Sequence, residues 1–224
     1  MNIAHYIDHT LLKPTTTIND VKSLCEEALQ HQFFAVCIPP PLVKNAKNIL
    51  QESPVKVATV IGFPFGYSLA KAKLLEVQQA ILDGADELDV VINLVALKNN
   101  AWNYLESEIR HITDAAHANK RLVKVIIESG VLTREEIIHC CSLYAAAGVD
   151  FLKTSTGYAE TGATAEAVQL MREHLPSSIK IKASGGIRTY EQAIIMLKAG
   201  AERLGCSASV AIVSGEKQDN TKGY

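Results

Sequence analysis

Short apolar runs alternate with longer amphipathic stretches along almost the whole of this 224-residue chain. The short runs have the length and composition of strands, and they cover residues 7–12, 34–38, 55–61, 87–93, 122–128, 150–157, 179–183 and 203–207. The longer stretches have apolar positions at helical spacing, and they cover residues 18–28, 42–50, 69–82, 102–118, 133–146, 164–175 and 190–198. Thr17 and Ser68 stand just before two of these stretches, where each is predicted to cap a helix.

The regular alternation predicts the fold class. Strands that alternate with helices, and that are apolar on both faces, indicate a parallel sheet. Eight such units in 224 residues favour a closed (β/α)8 barrel. A doubly wound open sheet is the alternative, but no GxGxxG follows the first strand and no GxxxxGK[ST] occurs in the sequence. We therefore predict a single (β/α)8 TIM-barrel domain over residues 1–224, with a polar C-terminal tail from about residue 214 to residue 224.

Charge and composition narrow the classes of partner. The formal net charge is −2 and the basic residues are spread along the chain, so we expect neither nucleic acid nor a membrane as partner. No window is apolar for long enough to span a bilayer and the N-terminus lacks an apolar signal core, which predicts a cytoplasmic protein. The five cysteines show no CxxC pair, and His5 and His9 lack a HExxH pattern, so neither a disulfide framework nor a metal site is predicted.

A lysine lies within the β-type run DFLKTSTG of residues 150–157, which ends in hydroxyl side chains and a glycine. Burying the ammonium of Lys153 in a sheet is unfavourable unless the group is paired or loses its proton. Two interpretations are open at this point. Lys153 belongs to an edge strand and faces water, or it is buried and has a chemical role.

Other charged residues fall on the same side of neighbouring strands. Alternate residues point into a barrel, and one alternate set comprises Glu87, Asp89, Val91 and Asn93 on the fourth strand and Leu122, Lys124, Ile126 and Glu128 on the fifth. On the seventh strand, Lys182 is nearer than Lys180 to the C-terminal end, where barrel active sites lie. Carboxylates and ammonium groups are therefore expected to converge inside the barrel.

The two lysines on neighbouring strands suit nucleophilic chemistry. Lys153 and Lys182 are expected to disfavour each other's protonation, which is one route to a neutral amine near neutral pH. Asp89 is a candidate base or a candidate group for orienting a water. The alternative is a purely structural ion network inside the barrel.

Glycine-containing loops follow the last two strands. The segments SGGIR (184–188) and GCS (205–207) each lie between a strand and a helix. Glycine lets backbone N–H groups approach an anion, and barrels often bind phosphate after strands seven and eight. These loops predict a phosphate site, although a tight strand–helix turn also requires glycine.

The motifs taken together resemble those of the deoxyribose-phosphate aldolases. The resemblance rests on the segments IDHTLLKP (7–14), VIGFP (60–64), ELDVV (87–91), LVKVIIE (122–128), FLKTSTG (151–157), KASGGIR (182–188) and RLGCS (203–207). It implies a (β/α)8 barrel and a class I aldolase that uses neither metal nor cofactor. The implied reaction is the reversible cleavage of 2-deoxy-D-ribose 5-phosphate to D-glyceraldehyde 3-phosphate and acetaldehyde through a lysine Schiff base.

The resemblance also implies roles for individual residues. Lys153 matches the Schiff-base lysine, Lys182 the second lysine and Asp89 the acid/base aspartate, while Thr156 and Asp8 match positions near a substrate hydroxyl. The implied phosphate-binding residues are Gly157, Gly185, Gly186, Arg188, Gly205 and Ser207.

Three further positions bear on the resemblance. Tyr158 stands where some relatives have lysine, and Ala208 where some have a second serine, so the phosphate affinity is expected to be weaker than in those relatives. Tyr224 ends the chain and resembles a tail tyrosine of the family that assists proton transfer at C2. The expected partners are a small sugar phosphate and an aldehyde, together with further copies of this chain in a homodimer or homotetramer.

Two other functions stay open from the sequence. One is a different Schiff-base aldolase or a transaldolase, which substrate profiling distinguishes. The other is a catalytically silent barrel that binds sugar phosphates, which the absence of a lysine adduct would indicate.

Overall fold

The computed structural model describes residues 2–215, and a closed parallel barrel lies at its centre. Each strand is hydrogen-bonded to the next one along the chain, and the eighth pairs with the first. The strands are β1 (Ile7–Thr10), β2 (Ala35–Ile38), β3 (Lys56–Ile61), β4 (Glu87–Val91), β5 (Leu122–Ile126), β6 (Phe151–Lys153), β7 (Lys180–Ser184) and β8 (Arg203–Cys206). The predicted (β/α)8 barrel is confirmed, and closure leaves Lys153 on an interior strand rather than at a sheet edge.

Helices separate successive strands. They are α1 (Ile18–His31), α2 (Val43–Ile49), α3 (Ala70–Leu82), α4 (Leu94–Lys98), α5 (Trp102–Ala118), α6 (Arg134–Ala146), α7 (Ala165–His174), α8 (Tyr190–Lys198) and α9 (Ser209–Ser214). Thr17 caps α1 in a reciprocal capping box with Asp20, as its position predicts. The prediction for Ser68 is wrong, because α3 begins after Leu69, which makes no side-chain capping bond.

Two strands end earlier than the alternation predicts. β4 stops at Val91, and Asn93 accepts a hydrogen bond from the backbone N–H of Ala96 as the N-cap of α4. β5 stops at Ile126, and Glu128 adopts a left-handed backbone conformation with φ of 55°. Neither Asn93 nor Glu128 therefore extends the inward alternation of its strand.

Alternate residues of the strands face two different environments. On β5, Val123 and Val125 belong to the main apolar core, whereas Lys124 between them lies in a cluster of charged side chains. A second, smaller apolar cluster comprises Leu12, Cys37, Ala58 and Val60, with Phe63 packed against it. Packing of the outer layer holds each strand in place, so the inward side chains have fixed positions.

Several sequence predictions concern the chain as a whole. Within residues 2–215 the five cysteines are buried free thiols, and no group of three or more His, Cys, Asp or Glu residues is arranged to hold a metal ion. No helix in this range is long and apolar enough to cross a membrane. Tyr224 lies outside the described residues, so its role stays a prediction.

Candidate active site

A cluster of charged side chains occupies the inside of the barrel. Three carboxylates and four cations from six strands lie there, and none of these side chains is more than 6% exposed. We call this group the interior cluster; its members are Asp8, Glu87, Asp89, Lys124, Lys153, Lys182 and Arg203. The predicted convergence of carboxylates and ammonium groups is therefore present in the structure.

Asp89 is bonded to three lysines of the interior cluster. Lys153 Nζ and Lys182 Nζ both donate to Asp89 Oδ2 at 2.8 Å, and Lys124 Nζ donates to Asp89 Oδ1 at 2.7 Å. Strand register explains the convergence, because Asp89 is the partner of Lys124 across β4 and β5, and Lys153 is the partner of Lys182 across β6 and β7. Both oxygens of this carboxylate are thus occupied by ammonium donors.

Asp8 links the lysines to the opposite side of the interior cluster. Asp8 Oδ2 accepts a hydrogen bond from Lys182 Nζ at 2.5 Å, and Asp8 Oδ1 accepts one from Arg203 Nη1 at 2.8 Å. Arg203 also bonds to Glu87 at 3.0 Å, and Glu87 is 2.6 Å from Lys124 Nζ. The resemblance places Asp8 near a substrate hydroxyl, whereas here its two oxygens bond to Lys182 and Arg203.

The carboxylates of the interior cluster are held in the ionised form. Burial by itself raises the pKa of Asp89, but the ammonium groups of Lys124, Lys153 and Lys182 outweigh burial and hold that pKa well below its usual range. Burial also raises the pKa of Asp8, and Lys182 and Arg203 again reverse the effect, so that the pKa of Asp8 is lowered. Asp89 is consequently an anion at neutral pH.

The lysines of the interior cluster do not behave alike. Burial lowers the pKa of Lys153, Asp89 opposes that change, and the positive charge of Lys182 lowers the pKa of Lys153 further. Burial also acts to lower the pKa of Lys182, but Asp8 and Asp89 together raise it above its usual range. The pKa of Lys124 shifts in the same direction as that of Lys182, because Asp89 and Glu87 outweigh burial and raise it.

The expectation that repulsion between the two lysines favours a neutral amine fits the lowered pKa of Lys153 but not the raised pKa of Lys182. Lys182 lowers the pKa of Lys153, but Lys182 itself stays charged because it contacts two carboxylates. Among the described residues, the carboxylate that Lys153 contacts is Asp89 alone. With three carboxylates for four cations, the interior cluster is balanced when Lys153 is the neutral member. Burial is the largest cause of the lowered pKa of Lys153, and the charge of Lys182 lowers it further.

A cavity of about 840 Å³ lies at the ends of β1, β6, β7 and β8. All the residues implied to bind phosphate line it: Gly157, Gly185, Gly186, Arg188, Gly205 and Ser207. Lys13, from the loop after β1, adds a second basic side chain to the same wall, and Ala208 also lies on it. The backbone φ angles of Gly185 and Gly186 are 85° and 80°, which side chains other than glycine rarely adopt.

Lys153 and Lys182 line neither this cavity nor the second cavity beside it. Lys153 is 2% exposed and Lys182 is fully buried, but the chain runs from each directly into the cavity wall, at Gly157 and at Gly185. A second cavity of about 670 Å³ is lined by Leu12, Phe63 and Tyr158, among other residues, and Lys13 borders both cavities.

Tyr158 contacts two loops, the one after β1 and the one after β3. Its hydroxyl donates to the carbonyl oxygen of Leu12 at 2.9 Å, and its ring meets the ring of Phe63 edge to face. The position where some relatives have lysine thus contributes a ring to the second cavity. The predicted weaker phosphate affinity stays a prediction.

Comparison with known proteins assigns the chain to a family of aldolases. The model of the DeoC/LacD family aldolases matches residues 2–215. The chain belongs to the DeoC/LacD aldolase family. It is 51% identical to the deoxyribose-phosphate aldolase of Thermococcus gammatolerans over 97% of both chains. Among solved structures it is similar to a putative deoxyribose-phosphate aldolase from Coccidioides immitis, with a TM-score of 0.92 and 42% identity over 95% of this chain and 85% of that one.

A second solved relative bears on assembly. The deoxyribose phosphate aldolase from Aeropyrum pernix, described as having a unique tetrameric structure, superposes with a TM-score of 0.89 at 32% identity, over 95% of this chain and 89% of that one. This chain is an aldolase of the DeoC/LacD family, a carbon–carbon lyase on a TIM barrel.

Two residues at this aldolase's candidate site, Arg203 and Lys13, have no role assigned from the sequence. Arg203, in the motif RLGCS, joins β8 to Asp8 and stacks over the ring of Phe34 with its Cζ 3.5 Å from the ring centre. Lys13 had no assigned role although it borders both cavities. An arginine at the start of a strand was an available signal for Arg203, whereas nothing in the sequence around Lys13 marks it.

Proposed function

We propose that this aldolase reversibly cleaves 2-deoxy-D-ribose 5-phosphate to D-glyceraldehyde 3-phosphate and acetaldehyde through a Schiff base on Lys153. The observation that carries the proposal is the single lysine of the interior cluster whose pKa is lowered, 2.8 Å from an ionised aspartate. A neutral amine is the form that attacks a carbonyl carbon. Names of the relatives support the choice of sugar phosphate.

Imine formation uses Lys153 and Lys182 in different protonation states. The neutral Nζ of Lys153 attacks C1 of the open-chain aldehyde, and the carbinolamine must then lose its hydroxyl group as water. Lys182, kept as an ammonium ion by Asp8 and Asp89, supplies the proton for that loss. The product is an iminium ion on Lys153, which withdraws electrons from the C2–C3 bond.

Cleavage then requires removal of the proton on the C3 hydroxyl. Asp89 orients the water that removes this proton, and the proton passes to the amine of Lys182, which gave up a proton in imine formation and lies 2.8 Å from Asp89. The C2–C3 bond breaks and its electron pair forms an enamine, while C3 becomes the aldehyde carbon of glyceraldehyde 3-phosphate. The enamine is protonated at C2, and water releases acetaldehyde from Lys153.

The 840 Å³ cavity is the proposed phosphate site. Backbone N–H groups at glycines, the guanidinium of Arg188 and the ammonium of Lys13 are the groups that favour an anion there. The cavity follows directly on the strands that bear Lys153 and Lys182, so a substrate with its phosphate there extends its other end towards the lysines.

Three further proposals rest on the resemblance and on relatives. Tyr224 is proposed to assist proton transfer at C2 of the enamine. The chain is proposed to act as a single domain in a homo-oligomer, as the tetrameric relative supports, and to work in the cytoplasm.

Borohydride trapping tests the proposed function. The protein is incubated separately with 2-deoxyribose 5-phosphate and with acetaldehyde, borohydride is added, and the adduct is mapped by mass spectrometry. We expect one adduct, on Lys153, and none in Lys153→Arg. No adduct with excess substrate contradicts the aldolase mechanism and favours the silent sugar-phosphate-binding barrel. An adduct without cleavage of this sugar favours another Schiff-base aldolase or a transaldolase, which a panel of sugar phosphates identifies.

A further inference from the structure

Glu128 and Thr156 form a buried polar pair beside the interior cluster. The hydroxyl of Thr156 donates to Glu128 Oε2 at 2.5 Å, and the backbone N–H of Thr156 is 3.2 Å from Oε1 and 3.3 Å from Oε2. Glu128 is 4% exposed and Thr156 is 7% exposed. Both donors of Thr156 are therefore directed to one carboxylate.

The backbone at Glu128 has an unusual conformation for a residue with a long side chain. Its φ of 55° and ψ of 57° lie in the left-handed region, which glycine adopts far more readily. The residues on either side of Glu128 are hydrogen-bonded to the end of β6 and the residue after it. The N–H of Ile127 donates to the carbonyl of Lys153, and the N–H of Ser129 donates to the carbonyl of Thr154. The turn brings the carboxylate of Glu128 to Thr156, and a glycine at position 128 would have no carboxylate to place.

Within residues 2–215, the bonds to the hydroxyl of Thr156 leave one acceptor position. A threonine hydroxyl donates once and accepts twice. Its donor is used by Glu128, and the N–H of Tyr158 donates to the same oxygen at 3.0 Å. Thr156 directly precedes Gly157 in the wall of the 840 Å³ cavity, and the remaining lone pair is the one with which its hydroxyl can accept a hydrogen bond from a ligand there.

We propose that Glu128 is a positioning residue that fixes the Thr156 hydroxyl as an acceptor for a hydroxyl group of the sugar phosphate. This inference rests on the proposed function. Of the two compounds used for trapping, the sugar phosphate has hydroxyl groups and acetaldehyde has none. Without Glu128 the Thr156 hydroxyl rotates freely and donates elsewhere. Lys153 acts on Glu128 as a nearby positive charge, which is the smallest of the causes that shift the pKa of Glu128, so we expect imine formation with acetaldehyde to depend little on the pair.

Four variants test the inference. Glu128→Gly removes the carboxylate while it accepts the left-handed backbone, and Glu128→Gln keeps an oxygen that accepts from Thr156. Thr156→Val removes the hydroxyl, and Glu128→Gly combined with Thr156→Val completes a double-mutant cycle. Lys120→Gly is the matched control, because exposed Lys120 has a φ of 58°. For each protein, kcat and KM for sugar-phosphate cleavage and the rate of borohydride-trapped imine formation with acetaldehyde are measured.

The expected pattern separates positioning from folding. Glu128→Gly lowers kcat/KM for cleavage about ten- to a hundredfold while acetaldehyde trapping changes less than about twofold. Glu128→Gln recovers most of the loss, the double variant is no worse than Thr156→Val, and Lys120→Gly behaves as wild type.

Other results overturn the inference. Equal losses in cleavage and trapping, additive effects in the cycle, or unchanged cleavage in Glu128→Gly each contradict it. A wild-type protein that forms no adduct with acetaldehyde contradicts the proposed function itself, so the two failures are distinguishable.

Discussion

Lys153 and Lys182 are register partners on β6 and β7 and donate to the same oxygen of Asp89 at the same distance of 2.8 Å, yet their pKa values shift in opposite directions. The difference comes from Asp8, which contacts Lys182. Two carboxylates keep Lys182 charged against burial, whereas one does not suffice for Lys153. Neighbouring strands thus place a charged ammonium group next to the lysine proposed as the nucleophile.

Replacing Lys182 tests this division of roles. In Lys182→Leu we expect imine formation to slow by about a hundredfold or more, since a general acid is lost. Lys182 lowers the pKa of Lys153, so its removal raises that pKa and moves the pH–rate profile for trapping towards alkaline pH. The rate of imine formation, measured by adding borohydride at timed intervals over a range of pH, reports both effects.

The matched control for Lys182 lies on the same strand. Lys180 is exposed at the start of β7, and Lys180→Leu is expected to leave rate and profile unchanged. An unaltered rate in Lys182→Leu removes that lysine from the mechanism. A shift of the profile towards acid pH contradicts the electrostatic account.

Parity along the strands was sufficient to predict that Asp89, Lys124, Lys153 and Lys182 converge, because alternation is a local property of the sequence. The protonation state of Lys182 was not predictable in the same way. It depends on Asp8, which is distant in sequence and approaches only because β1 and β8 close the barrel.

The strand ends show a second limit of sequence reasoning. In the sequence, Asn93 and Glu128 fit the alternation of the preceding strands, but in the structure Asn93 caps a helix and Glu128 adopts a left-handed conformation. Asparagine is a common N-cap, so its role was available from the sequence. A glutamate at positive φ has no such signal, because its turn is set by backbone bonds to β6.

Lys124 is predicted to be a major determinant of stability. It is fully buried between Glu87 at 2.6 Å and Asp89 at 2.7 Å. Lys124→Met leaves buried carboxylates short of a partner, which costs about 3–5 kcal/mol in the free energy of unfolding. Urea denaturation measures the change. Lys98→Met is the control, because the side chain of Lys98 is 43% exposed in its pair with Glu136, and it should cost less than about 1 kcal/mol. Equal losses in the two variants contradict the prediction.

Acid is expected to destabilise the protein through Asp8 and Asp89. Their pKa values in the fold lie below the usual value near 3.8, so their stabilisation is present above that value and is lost as pH falls through the folded pKa. The free energy of unfolding should therefore decrease below about pH 4. Glu128 acts in the opposite sense, because burial raises its pKa, and it offsets part of the loss.

The contribution of Asp89 to this acid dependence can be isolated. Asp89→Asn has no titrating group at that position, so its free energy of unfolding in urea should depend less steeply on pH below about pH 4. Asp114→Asn, at an exposed position of α5, should keep the wild-type slope. A wild-type slope in Asp89→Asn would show that acid acts elsewhere in the molecule.

Arg188 is predicted to bind the phosphate without taking part in bond cleavage. It lines the 840 Å³ cavity on the loop after β7, and loss of one charged hydrogen bond to a phosphate corresponds to a factor of about ten or more in affinity. Arg188→Gln should therefore raise KM for 2-deoxyribose 5-phosphate about tenfold and leave the rate with unphosphorylated 2-deoxyribose unchanged. Arg110→Gln, on the exposed surface of α5, should have wild-type kinetics with both sugars. An equal loss with both sugars in Arg188→Gln would mean that Arg188 acts on the reaction or the fold and not on the phosphate, because only one of the two sugars has that group.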